Sequence, residues 1–330
     1  MRTRLLALLS AAALAIGLTP AAVAAPADWH DLGLAHADRR QVHFRGAALP
    51  RPGSLAAIAV TADSAVVMSG MPNEPANRLV LLPGGTTIGR HVRGIPMAEV
   101  AGHRVFWTSK HGHGDFRLHA YDTSTGTSYE HPLGRVRWIV AAVDGDTAYG
   151  SRIESNRWSA WTPGTGFQRL ELPADAILTD VSGGMVSLLA EDDAPSIVAP
   201  DGAVLASGVT GWLTFDPSGA YAAQLGEWGV GVWDVAHARS IKLVNLDGRR
   251  WFDPVWAANG ELVVTTYTSR RDERHWDDAN PVVHHRCPMA VDAVVAACTV
   301  VPTRQPHPTG LDPIFGVTAL DQLIALDLFA

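Results

Sequence analysis

The sequence predicts an all-β protein, a seven-bladed β-propeller of four-stranded antiparallel blades, with six blades as the alternative count. Three observations carry that expectation. Tight polar turns between alternating apolar runs recur about every forty residues along the chain. A second turn follows each regular one by about twenty residues, so each unit holds two hairpins. Half-units are left over at the two ends.

The first set of turns is Ala62-Asp63, Gly102-His103, Gly145-Asp146, Gly183-Gly184, Ser218-Gly219, Asn259-Gly260 and Leu320-Asp321. The second set is Pro83-Gly84-Gly85, Thr125-Gly126, Pro163-Gly164, Asp201-Gly202, Ala236-His237 and, delayed by an insertion at about 268–282, Val291-Asp292. Two hairpins give four strands, the content of one propeller blade. Leu32 to Phe44 reads as one hairpin and Ile314 to Phe329 as another. Together they are expected to form the seventh blade from both termini, because an open ring leaves unpaired strand edges. A pair of β-sandwiches leaves the half-units unexplained. A helical fold fails because no long stretch after residue 24 sustains apolar residues at i, i+3, i+4 and i+7.

The N-terminus reads as a signal peptide, residues 1–24. Arg2 and Arg4 form a positive start, Leu5 to Leu18 an apolar run of 14 residues, and Ala22-Val23-Ala24 the small residues of a cleavage site. Fourteen residues are short for a bilayer span, and no later stretch approaches the ~18 apolar residues of a membrane helix. The expectation is a secreted or cell-envelope protein, residues 25–330, folded as one domain and acting as a monomer. Loss of Arg2 and Arg4 takes the net charge from −7 to −9. That acidity argues against nucleic acid, whose phosphates need a basic footprint. Cys287 and Cys298 are expected to form a disulfide in an oxidising compartment. Their spacing does not match the close cysteine pairs of zinc sites.

The fifth unit carries a family resemblance. Phe215-Asp216-Pro217-Ser218-Gly219-Ala220-Tyr221, followed by Gly231-Val232-Trp233-Asp234-Val235, resembles a repeat of the WD40-like and TolB-like propellers, and Leu118 to Thr123 with Gly126 is a weaker version. No unit has a Gly-His element at the usual WD40 position. The resemblance implies the propeller fold and a role in interactions. Trp233 and Asp234 then read as structural, an aromatic in the inner layers and a turn-capping carboxylate.

Familiar catalytic patterns are absent from the sequence: no Gly-x-Ser-x-Gly elbow, no phosphate loop, no His-Glu-x-x-His, no EF-hand loop, no repeated Asp-box. No cofactor is expected. His111, His113 and Asp115 have metal-ligating chemistry, but a polar Gly-rich loop is the favoured account of them, since Gly and His suit turns. His284 and His285 alternate along a strand and point to opposite faces. In a propeller the loops between second and third strands share one face with the loops joining blades. That face is expected to gather His111, His113, Asp115, Arg152, Glu154, Arg157, Glu191, Asp192, Glu227, Trp228, Arg250, Trp251, Arg270, His275 and Trp276. Of these, Arg152, Glu154, Glu227, Trp228, Arg250, Trp251, Arg270, His275 and Trp276 are the expected ligand-binding set, since ligands favour concave mouths with a few placed polar groups. The functional expectation is a non-enzymatic binding or scaffold protein for a protein or glycan partner. The alternative is a secreted hydrolase or lyase acting on carbohydrate through carboxylates such as Glu154, Glu227 or Asp277.

Overall fold

A computed structural model describes residues 32–37, 40–50, 55–70, 74–112, 114–152, 157–172, 176–189, 196–207, 209, 212–226, 229–246, 254–267, 282–291 and 293–301. These residues form β-strands in antiparallel meanders and build a β-propeller of six four-stranded blades. The blades span residues 55–90, 92–134, 138–169, 177–206, 212–244 and 255–300. The third has strands Trp138–Asp144, Thr147–Arg152, Trp158–Thr162 and Gly166–Arg169. The first strands of blades one to five lie side by side around the ring. Among the described residues no helix is long and apolar enough to cross a membrane.

The count of complete blades is therefore six, the alternative expectation. A further sheet, three-stranded, precedes them: His36–Ala37, Gln41–Phe44 and Ala47–Pro50. The sequence reading ended this element at Phe44. The extra strand exists because Arg45 and Gly46 take φ of 46° and 79°, the left-handed pair of a two-residue hairpin turn. The sheet sits between blades six and one. Leu32 and Leu34 pack with Ala257, Val263 and Val301, while Val42 and Phe44 pack with Ile58, Val60 and Val67. Ile314 to Phe329 lies outside the described residues, as do the N-terminal 31 residues and the insertion at 268–281.

The sixth unit departs from a simple pair of hairpins. After Val282–Cys287 the chain sends Val295–Ala297 across to the previous blade, where it pairs in parallel with Arg239–Val244. Only then does Thr299–Val300 return as the fourth strand of blade six. Cys287 and Cys298 form the expected disulfide, which ties this excursion to the third strand. The added strand covers an otherwise open sheet edge.

Blades adhere face to face through apolar seams. Between blades two and three, Met97, Phe106 and Leu118 meet Trp138, Val140 and Trp161. Between blades three and four, Ala142 meets Leu178 and Leu188; between five and six, Val232 and Ile241 meet Trp256 and Leu262. Inner strands therefore show both faces to apolar neighbours, at roughly 25 cal/mol per Å² of apolar surface removed from water, while outer strands such as Ser128–Gly134 and Gly166–Arg169 alternate with or give way to solvent.

Carboxylates add a directional bond across three successive seams. Glu99 accepts the Gly145 N–H at 2.7 Å, Asp144 the Gly184 N–H at 2.9 Å, and Asp180 the Phe215 N–H at 2.7 Å. Asp180 also accepts the Val181 N–H at 2.8 Å. Desolvation within the ring pushes the Asp180 carboxyl up to about 7, against those two bonds, with Glu99 and Asp144 nearby adding to the rise. Burial raises Glu99 as well. A raised folded pKa means that the native state holds a proton the unfolded chain has lost, so this contribution is full below 3.8 and declines as pH rises to about 7. Asp180→Asn cannot titrate. Its melting temperature minus that of the wild type is expected to climb as pH rises from 3.8 to about 7 and then level off. A difference that stays flat with pH contradicts this account of the ring interior.

Candidate functional site

The face of blade three that turns toward blade two is built by strand alternation. Register pairs Trp138 with Arg152, Gly150 with Ser159, Ser159 with Arg169, and Trp161 with Phe167. Trp138 lies across Gly150 and donates its indole N–H to Ser159 Oγ at 2.9 Å. A Cβ on residue 150 would sit 1.9 Å from the Ile139 carbonyl oxygen and 2.7 Å from the Trp138 ring. Glycine is thus what lets the indole lie flat on the sheet. Phe167 stands on Trp138 edge to face at 5.4 Å and meets His131 of blade two at 5.2 Å.

These residues border a cleft of about 470 Å³ between the two blades, within the roughly 300–1,000 Å³ of small-ligand sites. Trp138, Trp158 and Phe167 give it aromatic surface, and Leu133 and Val136 an apolar wall. Trp158 donates its own N–H to the Ala176 carbonyl at 3.0 Å, so both indole donors are used within the protein. Arg152, Arg157 and Arg169 stand exposed at the rim. Arg169 pairs with Glu171 at 3.2 Å, both highly exposed, which makes that pair weak in water. None of the described lining residues is acidic.

Of the expected binding set, Arg152 lines this cleft, joined by Arg157 from the same predicted face. Glu154, Glu227, Trp228, Arg250, Trp251, Arg270, His275 and Trp276 lie outside the described residues, as does His113. His111 packs edge-on against His91 at 5.7 Å, and Asp115 is bound to Arg117 at 3.0 Å. Among the described residues no group of three His, Cys, Asp or Glu side chains is placed to hold a metal ion. Sequence reasoning missed Trp138, Phe167 and His131. Their signal was present: Phe167 and Arg169 alternate on one face of an outer strand, and Trp138 opens the blade beside them.

Two other constellations compete. The first is a cavity of about 120 Å³ bordered by the inner strands, with Glu99, Asp180 and Asp216 on its wall. It is small, and Glu99 and Asp180 are already bound to backbone N–H groups of the next blade. The second lies on blade two, where Ser109 Oγ is 2.7 Å from His119 Nε2, and His119 Nδ1 is 3.7 Å from Glu130. The composition is that of a hydrolytic triad. Ser109, however, is 1% exposed, and the His119 ring is stacked on Trp107 at 5.1 Å. Burial lowers His119 to about 4, against the pull of Glu130. The arrangement satisfies a buried neutral histidine and leaves its serine closed to substrate.

The fold defines the class: a β-propeller. Solved structures similar to the chain are of that kind. Hsv2 from Kluyveromyces lactis shares 10% identity at a TM-score of 0.45, over 74% of this chain and 97% of that one. The β-propeller domain of Cps50 (Swd1) from Myceliophteria thermophila shares 12% at 0.46, over 72% and 91%. TolB from Acinetobacter baumannii shares 16% at 0.41, over 61% of each chain. No protein-family model matches the sequence, and no curated protein matches it. The assignment to the propeller class rests on the chain's own blade topology.

Two outcomes check this geometry. Gly150→Ala forces backbone and indole apart and should cost at least the about 1–3 kcal/mol of an overpacked core, read as a lowered urea midpoint; an unchanged midpoint refutes the Trp138 seat. A fluorophosphonate serine probe should leave Ser109 unlabelled, and labelling there would reinstate the hydrolytic reading.

Proposed function

We propose that the protein is an exported β-propeller that binds a protein or glycan partner, with the cleft between blades two and three as its binding site. One observation carries the reading. An aromatic floor with preset rotamers lies under three exposed guanidinium groups, of which Arg169 is paired with the exposed Glu171, and no carboxylate is among the described lining residues. A chain with net charge −7 that gathers three arginines around aromatic rings has a local surface opposite in sign to its whole. Side chains of this type dominate binding energy at recognition sites. Export is supported by the N-terminal signal pattern and is consistent with the Cys287–Cys298 disulfide, since such bonds persist in oxidising compartments. The alternative, carbohydrate hydrolysis or cleavage through Glu154, Glu227 or Asp277, turns on residues that lie outside the described ones.

The test is a binding screen of the secreted protein against immobilised peptides and glycans, beside Arg157→Ala and Phe167→Ala. Both side chains are exposed, so both variants should melt near the wild type. Ligands that bind wild type and are lost by both variants support the cleft. Ligands held equally by all three place the site elsewhere.

A further inference from the structure

We infer that the cleft between blades two and three takes an acidic sugar residue of a glycan, a hexuronate being its simplest form. The inference rests on the binding reading above and names the ligand for that same site.

The lining chemistry selects an acceptor-rich ligand. Arginine side chains donate and never accept, and three of them stand at the rim. Their planar forks match a carboxylate in bidentate geometry. The indole N–H of Trp138 is spent on Ser159 and that of Trp158 on Ala176. None of the described lining side chains is an amide or a carboxylate. A peptide brings one obligatory backbone donor per residue, and these side chains supply few acceptors for it. A sugar hydroxyl can serve as acceptor where only donors are offered. A uronate therefore satisfies the wall with its carboxylate and hydroxyls together.

The apolar part of the site suits a saturated ring. Phe167 is 41% exposed, whereas the other described phenylalanines, Phe44, Phe106, Phe116 and Phe215, are buried. It is held by Trp138 at 5.4 Å and His131 at 5.2 Å, so it presents a fixed ring rather than a mobile one. The C–H face of a pyranose covers such a surface with little ordering cost on the protein side.

The experiment is calorimetric titration of the secreted protein with three probes: a trisaccharide of galacturonate, the same trisaccharide with its carboxyls reduced to alcohols, and tri-glutamate. The acidic trisaccharide is expected to bind saturably and more weakly as salt rises. Its carboxyl-reduced form should bind at least tenfold more weakly. Arg157→Ala should lose about tenfold to a hundredfold, the value of a charge-assisted hydrogen bond, and Phe167→Ala about tenfold. Tri-glutamate binding as tightly, with the same dependence on Arg157, overturns the sugar assignment and leaves the cleft standing as an anion site. Acidic trisaccharide binding unaffected by either variant overturns the cleft itself. No binding by the acidic trisaccharide to a protein of unchanged melting temperature overturns the proposal.

Discussion

The blade-two to blade-three half of the molecule depends on one steric allowance: the missing side chain of Gly150. Because nothing projects there, the Trp138 indole crosses the sheet and reaches Ser159. From that seat its buried ring packs with Met97, Phe106 and Leu118 of the neighbouring blade. Its backbone carbonyl accepts the Thr108 hydroxyl at 2.9 Å, again across the seam. The same ring carries Phe167 and forms part of the cleft. Seam and site share a residue, so the rigidity that holds two blades together also presets the binding surface.

Charge is partitioned in a way that follows from the ring. Carboxylates Glu99, Asp144 and Asp180 point along the inner turns, where each finds a backbone N–H of the next blade. Such bonds are directional and set the stagger between blades, while the apolar seams supply most of the adhesion. Arginines collect instead at the outer rim of one cleft. An acidic protein can in this way show one cationic surface without a high cost of burying charge. The three-stranded sheet between blades six and one continues the seams, packing Leu32 and Leu34 on one side and Val42 and Phe44 on the other.

Much of this was legible in sequence because turns are local. Gly102, Gly145, Gly183-Gly184 and Asn259-Gly260 mark hairpins whose flanking strands fall where alternation puts them. The cysteine pair forms the bond its spacing allowed, and Arg152 and Arg157 both line the cleft. The rest depends on encounters that periodicity does not encode. Arg45-Gly46 looks like surface chain until its backbone angles make a third strand. Val295–Ala297 pairs in parallel with the preceding blade, a contact no hairpin signal announces. Alternation predicts that Phe167 and Arg169 share a face, but not that the face meets His131 and leaves a cleft. Ser109 and His119 come together only through cross-strand register.

The most direct measurement of the central claim is the ¹⁵N spectrum of the tryptophan indole N–H groups during titration with the acidic trisaccharide. The account predicts that the Trp138 and Trp158 resonances shift together and saturate, while those of Trp256, at the seam of blades five and six, and Trp107, under His119, stay in place. Shifts at Trp256 or Trp107 with Trp138 and Trp158 unmoved would contradict it, because the ligand would then be binding away from the cleft.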